Sequence, residues 1–200
     1  MAATVTPTAP LVQAPDTPAS VIRRLRWAWP VGILVGFPIG GYVANLIVGK
    51  IDSVGAALLG GLIAGAIIGG AQWLALKSIV PWVWLVATSV GMAAGLTAGA
   101  ALVDYGISRG DLALMGAVTG LAVGALQAFL LARRGSGALW WVAVNPPAWA
   151  LAWFVTTFVI TKNVKEHFAV FGASGAIVFA LLTWLVLTFL FRPNEREARG

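Results

Sequence analysis

The sequence predicts an all-α integral membrane protein built as a bundle of six transmembrane helices. Of its 200 residues, 60% are hydrophobic and only 10% are charged, whereas a soluble domain carries about 25% charged residues. The chain also contains six uncharged apolar runs, each longer than the roughly 20 residues that cross a bilayer as a helix. It has no cysteine, which excludes a disulfide scaffold and thiolate metal sites.

The six apolar runs contain no Asp, Glu, Lys, Arg or His. They are Trp27–Val48, Ala56–Leu76, Pro81–Val103, Leu112–Ala132, Ala138–Ile160 and Phe168–Phe191. We expect helices because backbone groups in hydrocarbon must pair within their own segment. A transmembrane β-strand would be about 10 residues long with alternating polarity, and these runs lack that alternation.

The two ends of the chain differ in composition from the spans. Residues 1–26 are rich in Pro, Ala and Thr and predict a disordered cytoplasmic arm with a basic end beside the membrane. Residues 192–200 predict a charged cytoplasmic tail, so the transmembrane domain covers residues 27–191.

The first and third spans repeat one pattern at a separation of 55 residues. The matching pairs are Trp29 and Trp84, Gly36 and Gly91, and Gly40 and Gly95. The fifth span keeps the leading tryptophans, Trp140 and Trp141, and has Pro146 and Pro147 near the position equivalent to Gly91.

The second and fourth spans repeat a different pattern at the same separation. Each carries a glycine at every fourth position, then a glutamine, then a basic turn. The matching pairs are Gly61 and Gly116, Gly65 and Gly120, Gly69 and Gly124, and Gln72 and Gln127. The sixth span resembles the second 111 residues later, with Thr183 in the place of Gln72.

These patterns predict a repeated two-helix hairpin. Spans two and three form one copy, spans four and five form another, and spans six and one form a third copy that is split between the chain ends. The bundle is then pseudo-threefold, with the sixth helix packed against the first. Such parallel repeats occur in transporters and channels, and gene duplication leaves them in inert bundles as well.

The regular glycines predict helix-packing faces. Glycine at every fourth position makes a flat stripe along a helix, which allows a neighbouring backbone to approach closely. The residues concerned are Gly61, Gly65, Gly69, Gly116, Gly120 and Gly124. We interpret these stripes as packing within the chain, and contact with a partner protein is the alternative.

Basic residues predict the orientation in the membrane. Nine Lys and Arg residues lie on the side of the termini: Arg23, Arg24, Arg26, Lys77, Arg133, Arg134, Arg192, Arg196 and Arg199. Four lie on the other side: Lys50, Arg109, Lys162 and Lys165. Cytoplasmic loops carry the excess of positive charge, so both termini are expected in the cytoplasm. Nucleic-acid binding would need a soluble basic face, and none is present.

Tryptophan concentrates near the predicted inner ends of the spans. Eight of the ten lie there, namely Trp27, Trp29, Trp73, Trp82, Trp84, Trp140, Trp141 and Trp184. Indole rings favour the headgroup level of a bilayer, so we interpret these residues as an aromatic belt. A ring around a pigment or quinone is the alternative.

Amide and hydroxyl side chains are the only polar candidates inside the spans. Five of them lie at a similar depth in the inner third of the bilayer and predict one polar layer near the pseudo-threefold axis: Gln72, Thr88, Gln127, Asn145 and Thr183. The layer is interpreted either as hydrogen bonding between helices or as a polar constriction that binds or passes a solute.

The sequence predicts neither an enzyme nor a metal site. It has no Walker, dinucleotide-binding or HExxH motif, and no pair of carboxylates lies within a span. His167 is the only histidine and falls in a predicted outer loop, so it can supply at most one axial ligand. No cofactor is therefore predicted, and contact with a pigment, haem or quinone stays an alternative.

One segment resembles a known kind of sequence. Residues 60–77 (GGLIAGAIIGGAQWLALK) followed by residues 81–91 (PWVWLVATSVG) resemble uncharacterised bacterial multi-pass membrane proteins, especially cyanobacterial ones. In these proteins glycine ladders end in Gln-Trp-Leu before a basic turn and a Trp-led helix. The resemblance implies the helical-hairpin fold and a bacterial inner membrane as the location, and it indicates neither an activity nor a site.

The sequence is compatible with two functions. The first is a non-catalytic accessory or scaffold subunit of a larger membrane complex, with the lipid bilayer and other membrane subunits as partners. The second is a small-solute channel or transporter that uses the polar layer.

Overall fold

The described part of the chain consists of α-helices joined by short turns. A computed structural model describes residues 18–133, 137–159 and 173–190, with side chains over 27–133, 137–159 and 174–189. Six α-helices fill these ranges: α1 (Pro18–Val48), α2 (Val54–Leu76), α3 (Val83–Leu102), α4 (Arg109–Ala132), α5 (Ala138–Val159) and α6 (Ala173–Leu190). The predicted all-α class is confirmed.

Five of the helices are long and apolar enough to cross a membrane, as predicted for spans one to five. The apolar part of α6 that is described, Ser174–Phe189, is shorter than a full span. The predicted ends of that span at Phe168 and Phe191 lie outside the described residues. His167, residues 1–17 and the tail of residues 192–200 lie outside them as well.

The first helix begins earlier than the sequence analysis predicts. Residues 18–26 were assigned to a disordered arm, but α1 includes them. Proline is tolerated in the first turn of a helix, where its missing N–H would be unpaired in any case. Neither proline nor glycine occurs between Pro18 and Pro30, so the helix runs on unbroken into the apolar span.

Local residues set the other helix ends. Gly49 adopts a positive φ of 77° just after α1, a conformation that glycine adopts at no steric cost. The Ser53 side chain accepts a hydrogen bond from the Ala56 N–H at 3.3 Å at the start of α2. Ser108 and Asp111 cap α4 reciprocally, at 3.1 and 3.0 Å, which satisfies two of the free N–H groups of its first turn.

The six helices form a closed ring. Each helix packs against the next along the chain, and α6 also packs against α1. Neighbours run antiparallel: at α2 and α3, Gly61 lies beside Ala93 while Gly69 lies beside Leu85. The α2–α3 and α4–α5 turns therefore lie at one end of the bundle, and the α1–α2 and α3–α4 turns lie at the other.

Aromatic side chains fill the centre of this ring. Near one end, the Trp141 ring lies 5.9 Å from Trp29 and 6.1 Å from Trp84 between centroids. Deeper in the bundle, Phe37, Trp149 and Phe179 pack with centroids 5.0–5.2 Å apart. All six side chains are fully buried, and aromatic rings at these separations attract one another beyond the effect of burial alone.

Candidate functional site: the buried polar layer

Three polar side chains from consecutive helices meet inside the ring. The amide nitrogen Nε2 of Gln127 donates to Gln72 Oε1 at 2.9 Å and to Thr88 Oγ1 at 2.8 Å. All three residues are buried. The Thr88 hydroxyl in turn donates to the Trp84 carbonyl on its own helix at 2.8 Å. Side chains of α2, α3 and α4 are thus joined by hydrogen bonds, which an apolar interior favours because an unpaired amide there is costly.

Buried indoles donate hydrogen bonds to the oxygens of both amides. Trp84 Nε1 donates to Gln72 Oε1 at 3.1 Å, and Trp141 Nε1 donates to Gln127 Oε1 at 2.9 Å. An indole N–H can only donate, so each amide must turn its oxygen towards the tryptophan.

A third indole makes the equivalent bond at the junction of the chain ends. Trp29 Nε1 on α1 donates to Thr183 Oγ1 on α6 at 2.9 Å. In all three cases the tryptophan of an odd-numbered helix bonds the polar side chain of the helix that precedes it around the ring. We call these three bonds the indole clasps: Trp84–Gln72, Trp141–Gln127 and Trp29–Thr183.

The other two residues of the predicted layer are bonded elsewhere. Asn145 Nδ2 donates to the Trp141 carbonyl one turn earlier on α5 at 2.8 Å. The Thr183 hydroxyl donates to the Phe179 carbonyl on α6 at 2.6 Å. Gln72, Thr88 and Gln127 therefore form a joined network, while Asn145 and Thr183 are buried beside partners of their own.

Two polar atoms of this layer are buried without a partner in the part of the chain that is described. They are the amide nitrogen Nε2 of Gln72 and the amide oxygen Oδ1 of Asn145. A buried amide group that lacks a hydrogen bond costs roughly 1–3 kcal/mol. The two atoms are the polar groups of the layer with capacity left for another molecule.

The glycine stripes lie directly against neighbouring backbones. On α2, an added Cβ would lie 2.7 Å from Ala93 Cα at Gly61 and 2.6 Å from Ser89 Cα at Gly65. At Gly69 it would lie 2.8 Å from Thr88 Cβ. Such distances are shorter than side chains tolerate, so α2 and α3 approach as closely as they do only because these positions have no side chain.

The stripe on α4 faces α5 in the same way. An added Cβ would lie 2.9 Å from the Trp149 carbonyl oxygen at Gly116 and 2.6 Å from the Asn145 carbonyl oxygen at Gly120. At Gly124 it would lie 2.7 Å from Asn145 Cβ. These glycines hold α5 close to α4, and this places Trp141 within reach of Gln127.

The role of the inner tryptophans differs from the predicted aromatic belt. Trp29, Trp84 and Trp141 are fully buried and act as hydrogen-bond donors in the core. The signal that could have found them is the spacing of Trp27 from Trp29 and of Trp82 from Trp84. Residues two apart on a helix point about 200° apart, so only one of each pair can face the lipid.

Charged groups lie outside this layer. Arg109, at the opposite end of the bundle, places its guanidinium 4.2 Å from the centroid of the Phe158 ring. No group of three or more His, Cys, Asp or Glu that could hold a metal ion occurs among residues 18–133, 137–159 and 173–190. The chemistry that the described site can perform is hydrogen bonding by neutral groups.

Comparison with known proteins adds no relative. No protein-family model, no curated protein and no solved structure matches the chain significantly.

Proposed function

We propose that this integral membrane protein is a non-catalytic accessory or scaffold subunit of a larger membrane complex. The observation that carries the proposal is the filled interior, in which amides, hydroxyls and indoles bond one another around a packed aromatic centre. Such a bundle offers its outer surface to other molecules. That surface carries large apolar side chains, for example Leu58, Leu121 and Leu185, which suit lipid or other membrane helices.

Several properties belong to the same proposal. Both termini lie in the cytoplasm, as supported by the nine basic residues on the terminal side against four on the other. A bacterial inner membrane as the location rests on the resemblance of residues 60–91 to bacterial multi-pass proteins. The protein is not an enzyme, because the polar groups of its core are neutral and offer no acid–base pair. Its partners are lipid and other membrane proteins.

We also propose that the bundle consists of three equivalent hairpins, α2–α3, α4–α5 and α6–α1. The indole clasps support this, since each hairpin contains one, with lengths of 3.1, 2.9 and 2.9 Å. The third hairpin differs because Thr183 replaces a glutamine. Its shorter side chain does not reach the network of the other two.

Copurification from native membranes tests the scaffold function. A tagged chain is extracted in a mild detergent at two detergent concentrations and resolved by native electrophoresis. We expect a larger complex in which one or more subunits keep a constant ratio to the tagged chain. Recovery of the chain alone, or only as a symmetric oligomer, would contradict the proposal.

A second candidate is a small-solute channel or transporter. The observation that favours it is the pair of buried atoms with free hydrogen-bonding capacity, Gln72 Nε2 and Asn145 Oδ1. A solute crossing the ring would meet these groups, and it would have to displace the aromatic side chains that fill the axis.

Flux into liposomes separates the two functions. A scaffold gives no flux above that of empty liposomes, both for the natural chain and for the Gln72→Leu, Gln127→Leu double variant. A channel gives flux that falls in the double variant. Helical circular dichroism and size-exclusion profiles of both proteins show whether the variant is folded.

A further inference from the structure

In each of three tryptophan pairs, one indole ring is buried in the core and the other is exposed on the outer surface. At the starts of the spans in α1, α3 and α5, the exposed fractions are 77% for Trp27, 65% for Trp82 and 62% for Trp140. Their neighbours Trp29, Trp84 and Trp141 are completely buried in the indole clasps. The outward rings have no part in the core, yet one lies near the start of the apolar span in each odd-numbered helix, one or two residues before the buried tryptophan.

Basic residues accompany the outward rings at this end of the bundle. Lys77 ends α2 and Arg133 ends α4, both exposed. Each begins the turn that leads to an outward tryptophan, so Lys77 is followed by Trp82 and Arg133 by Trp140. The helical segment that precedes Trp27 contains Arg23, Arg24 and Arg26. Every outward ring thus belongs to a short segment that also carries a cation.

The opposite end of the bundle has a different character. Its described charged residues are of both signs, and three of the five are acidic: Lys50, Asp52, Asp104, Arg109 and Asp111. At the tryptophan end, the sequence has no acidic residue at positions 77–82 or 133–137. Positive charge and exposed indole therefore coincide at one end only.

We propose that this end binds anionic phospholipid, with one headgroup at each cation-and-tryptophan segment. Phosphate oxygens pair with Lys77 or Arg133, and the indole of Trp82 or Trp140 lies at the level where headgroup meets acyl chain. Amphipathic indoles favour that depth, and cations beside an anionic leaflet gain affinity from it.

The surfaces below each segment fit acyl chains. Leu74 and Val86 are exposed on the bundle side of the α2–α3 turn, and Phe129 and Leu139 flank the α4–α5 turn. The Arg133 guanidinium lies 5.1 Å from the centroid of the exposed Phe129 ring, so charge and apolar surface are adjacent. An acidic protein segment would use the cations but would leave these apolar surfaces without a contact.

Native mass spectrometry of the purified full chain tests the proposal. The protein is loaded with phosphatidylglycerol or with phosphatidylcholine of identical acyl chains, and retained lipid is counted as collision energy rises. We expect preferential retention of phosphatidylglycerol. In the Lys77→Gln, Arg133→Gln variant its affinity should fall about fivefold for each removed cation, while that of phosphatidylcholine should not change.

The matched control is the Lys50→Gln, Arg109→Gln variant, which loses the same charge at the other end. It should retain phosphatidylglycerol like the natural chain, since only local cations contribute. An equal loss in the control would show a net-charge effect and overturn the proposal. Equal retention of the two lipids by the natural chain would also overturn it, as would displacement of phosphatidylglycerol by glycerol phosphate at an equal concentration.

Discussion

At the scale of single residues, the polar layer depends most on Gln127. Its side chain donates to Gln72 and Thr88 and accepts from Trp141, so it is bonded to three helices at once. Gln72, in contrast, accepts through its oxygen while its amide nitrogen has no partner in the described residues. The two glutamines occupy matching sequence positions and are therefore energetically unequal.

Replacing Gln127 with leucine should lower the free energy of unfolding by about 2 kcal/mol. The estimate takes three interhelical hydrogen bonds at about 0.6 kcal/mol each. Reversible unfolding in mixed micelles by an ionic detergent measures the change. Thr119→Val on the same helix is the control, because the Thr119 hydroxyl bonds only the Met115 carbonyl of its own helix. Equal effects of the two variants would show that the bonds between helices contribute nothing specific.

At this scale, the sequence predicts the level of a polar side chain along its helix but not its hydrogen-bond partner. Position along the helices predicts that Gln72, Thr88 and Gln127 lie at a similar level of the bundle, because level follows from distance along a helix. Which donor each amide meets depends on side-chain rotamers and on the rotation of the helices about their axes. The hydrogen-bond acceptors of Trp84 and Trp141 therefore follow only from the structure, as does the bonding of Asn145 to its own helix.

At the scale of helices, glycine sets the distance between neighbours. The stripe of α3 lies against α4 as that of α2 lies against α3: an added Cβ at Gly95 would lie 2.5 Å from Thr119 Cα. Close approach replaces the hydrophobic driving force that is absent between helices in lipid. It also brings the side chains of the polar layer within hydrogen-bonding distance.

Alanine at the contact glycines should destabilise the bundle, and alanine at the open ones should not. Gly65→Ala and Gly95→Ala place a methyl group against a neighbouring backbone, so each should cost about 1–3 kcal/mol. Gly55 has nothing within 4 Å of an added Cβ, and at Gly70 the nearest atom is Leu85 Cδ1 at 3.6 Å. Gly55→Ala and Gly70→Ala should be neutral or stabilising by up to about 1 kcal/mol.

The same mixed-micelle unfolding measures all four glycine variants. Uniform destabilisation would mean that glycine is required for a reason other than helix contact, such as backbone flexibility.

The sixth helix should be the first to separate from the ring. Side chains join α1 and α6 in the Trp29–Thr183 clasp and between Phe37 and Phe179. These two helices lie at opposite ends of the chain, so no short turn joins them. On its other side, α6 meets α5 through one described glycine contact, at Gly175, where an added Cβ would lie against the Ala152 carbonyl oxygen. In contrast, α3 lies between two interfaces in which several glycines meet backbone.

Hydrogen exchange followed by mass spectrometry in detergent micelles measures this order of separation. Amides of residues 174–189 should exchange before those of residues 83–102. Exchange of both helices at the same rate would show that the ring opens as one cooperative unit.

At the scale of the whole molecule, the helices form a closed ring in which the first and last helices are also neighbours. The packing of the helices therefore does not determine at which turn the chain begins and ends. The proposed hairpin α6–α1 has the same kind of clasp as the two continuous hairpins, although its helices are the last and the first in the sequence. If the three hairpins are equivalent, the chain can be opened at another turn of the same end without loss of the fold.

A circular permutant tests this equivalence. A flexible linker joins the natural C-terminus to the natural N-terminus, and new ends are placed between Ser78 and Ile79 in the α2–α3 turn. The α3 helix then comes first and α2 comes last, with both termini at the same end of the bundle as before. We expect this protein to insert and fold, because the helices of each clasp can still meet within one ring.

The control permutant carries the same linker and is opened within α2, between Gly65 and Ala66, where it interrupts a helix and its glycine stripe. Fluorescence-detected size exclusion and the unfolding midpoint in mixed micelles compare the two proteins with the natural chain. The first permutant should keep a single sharp peak and most of its stability, and the second should aggregate. Failure of both would show that the α6–α1 junction needs its natural free ends and that the third hairpin is not equivalent to the others.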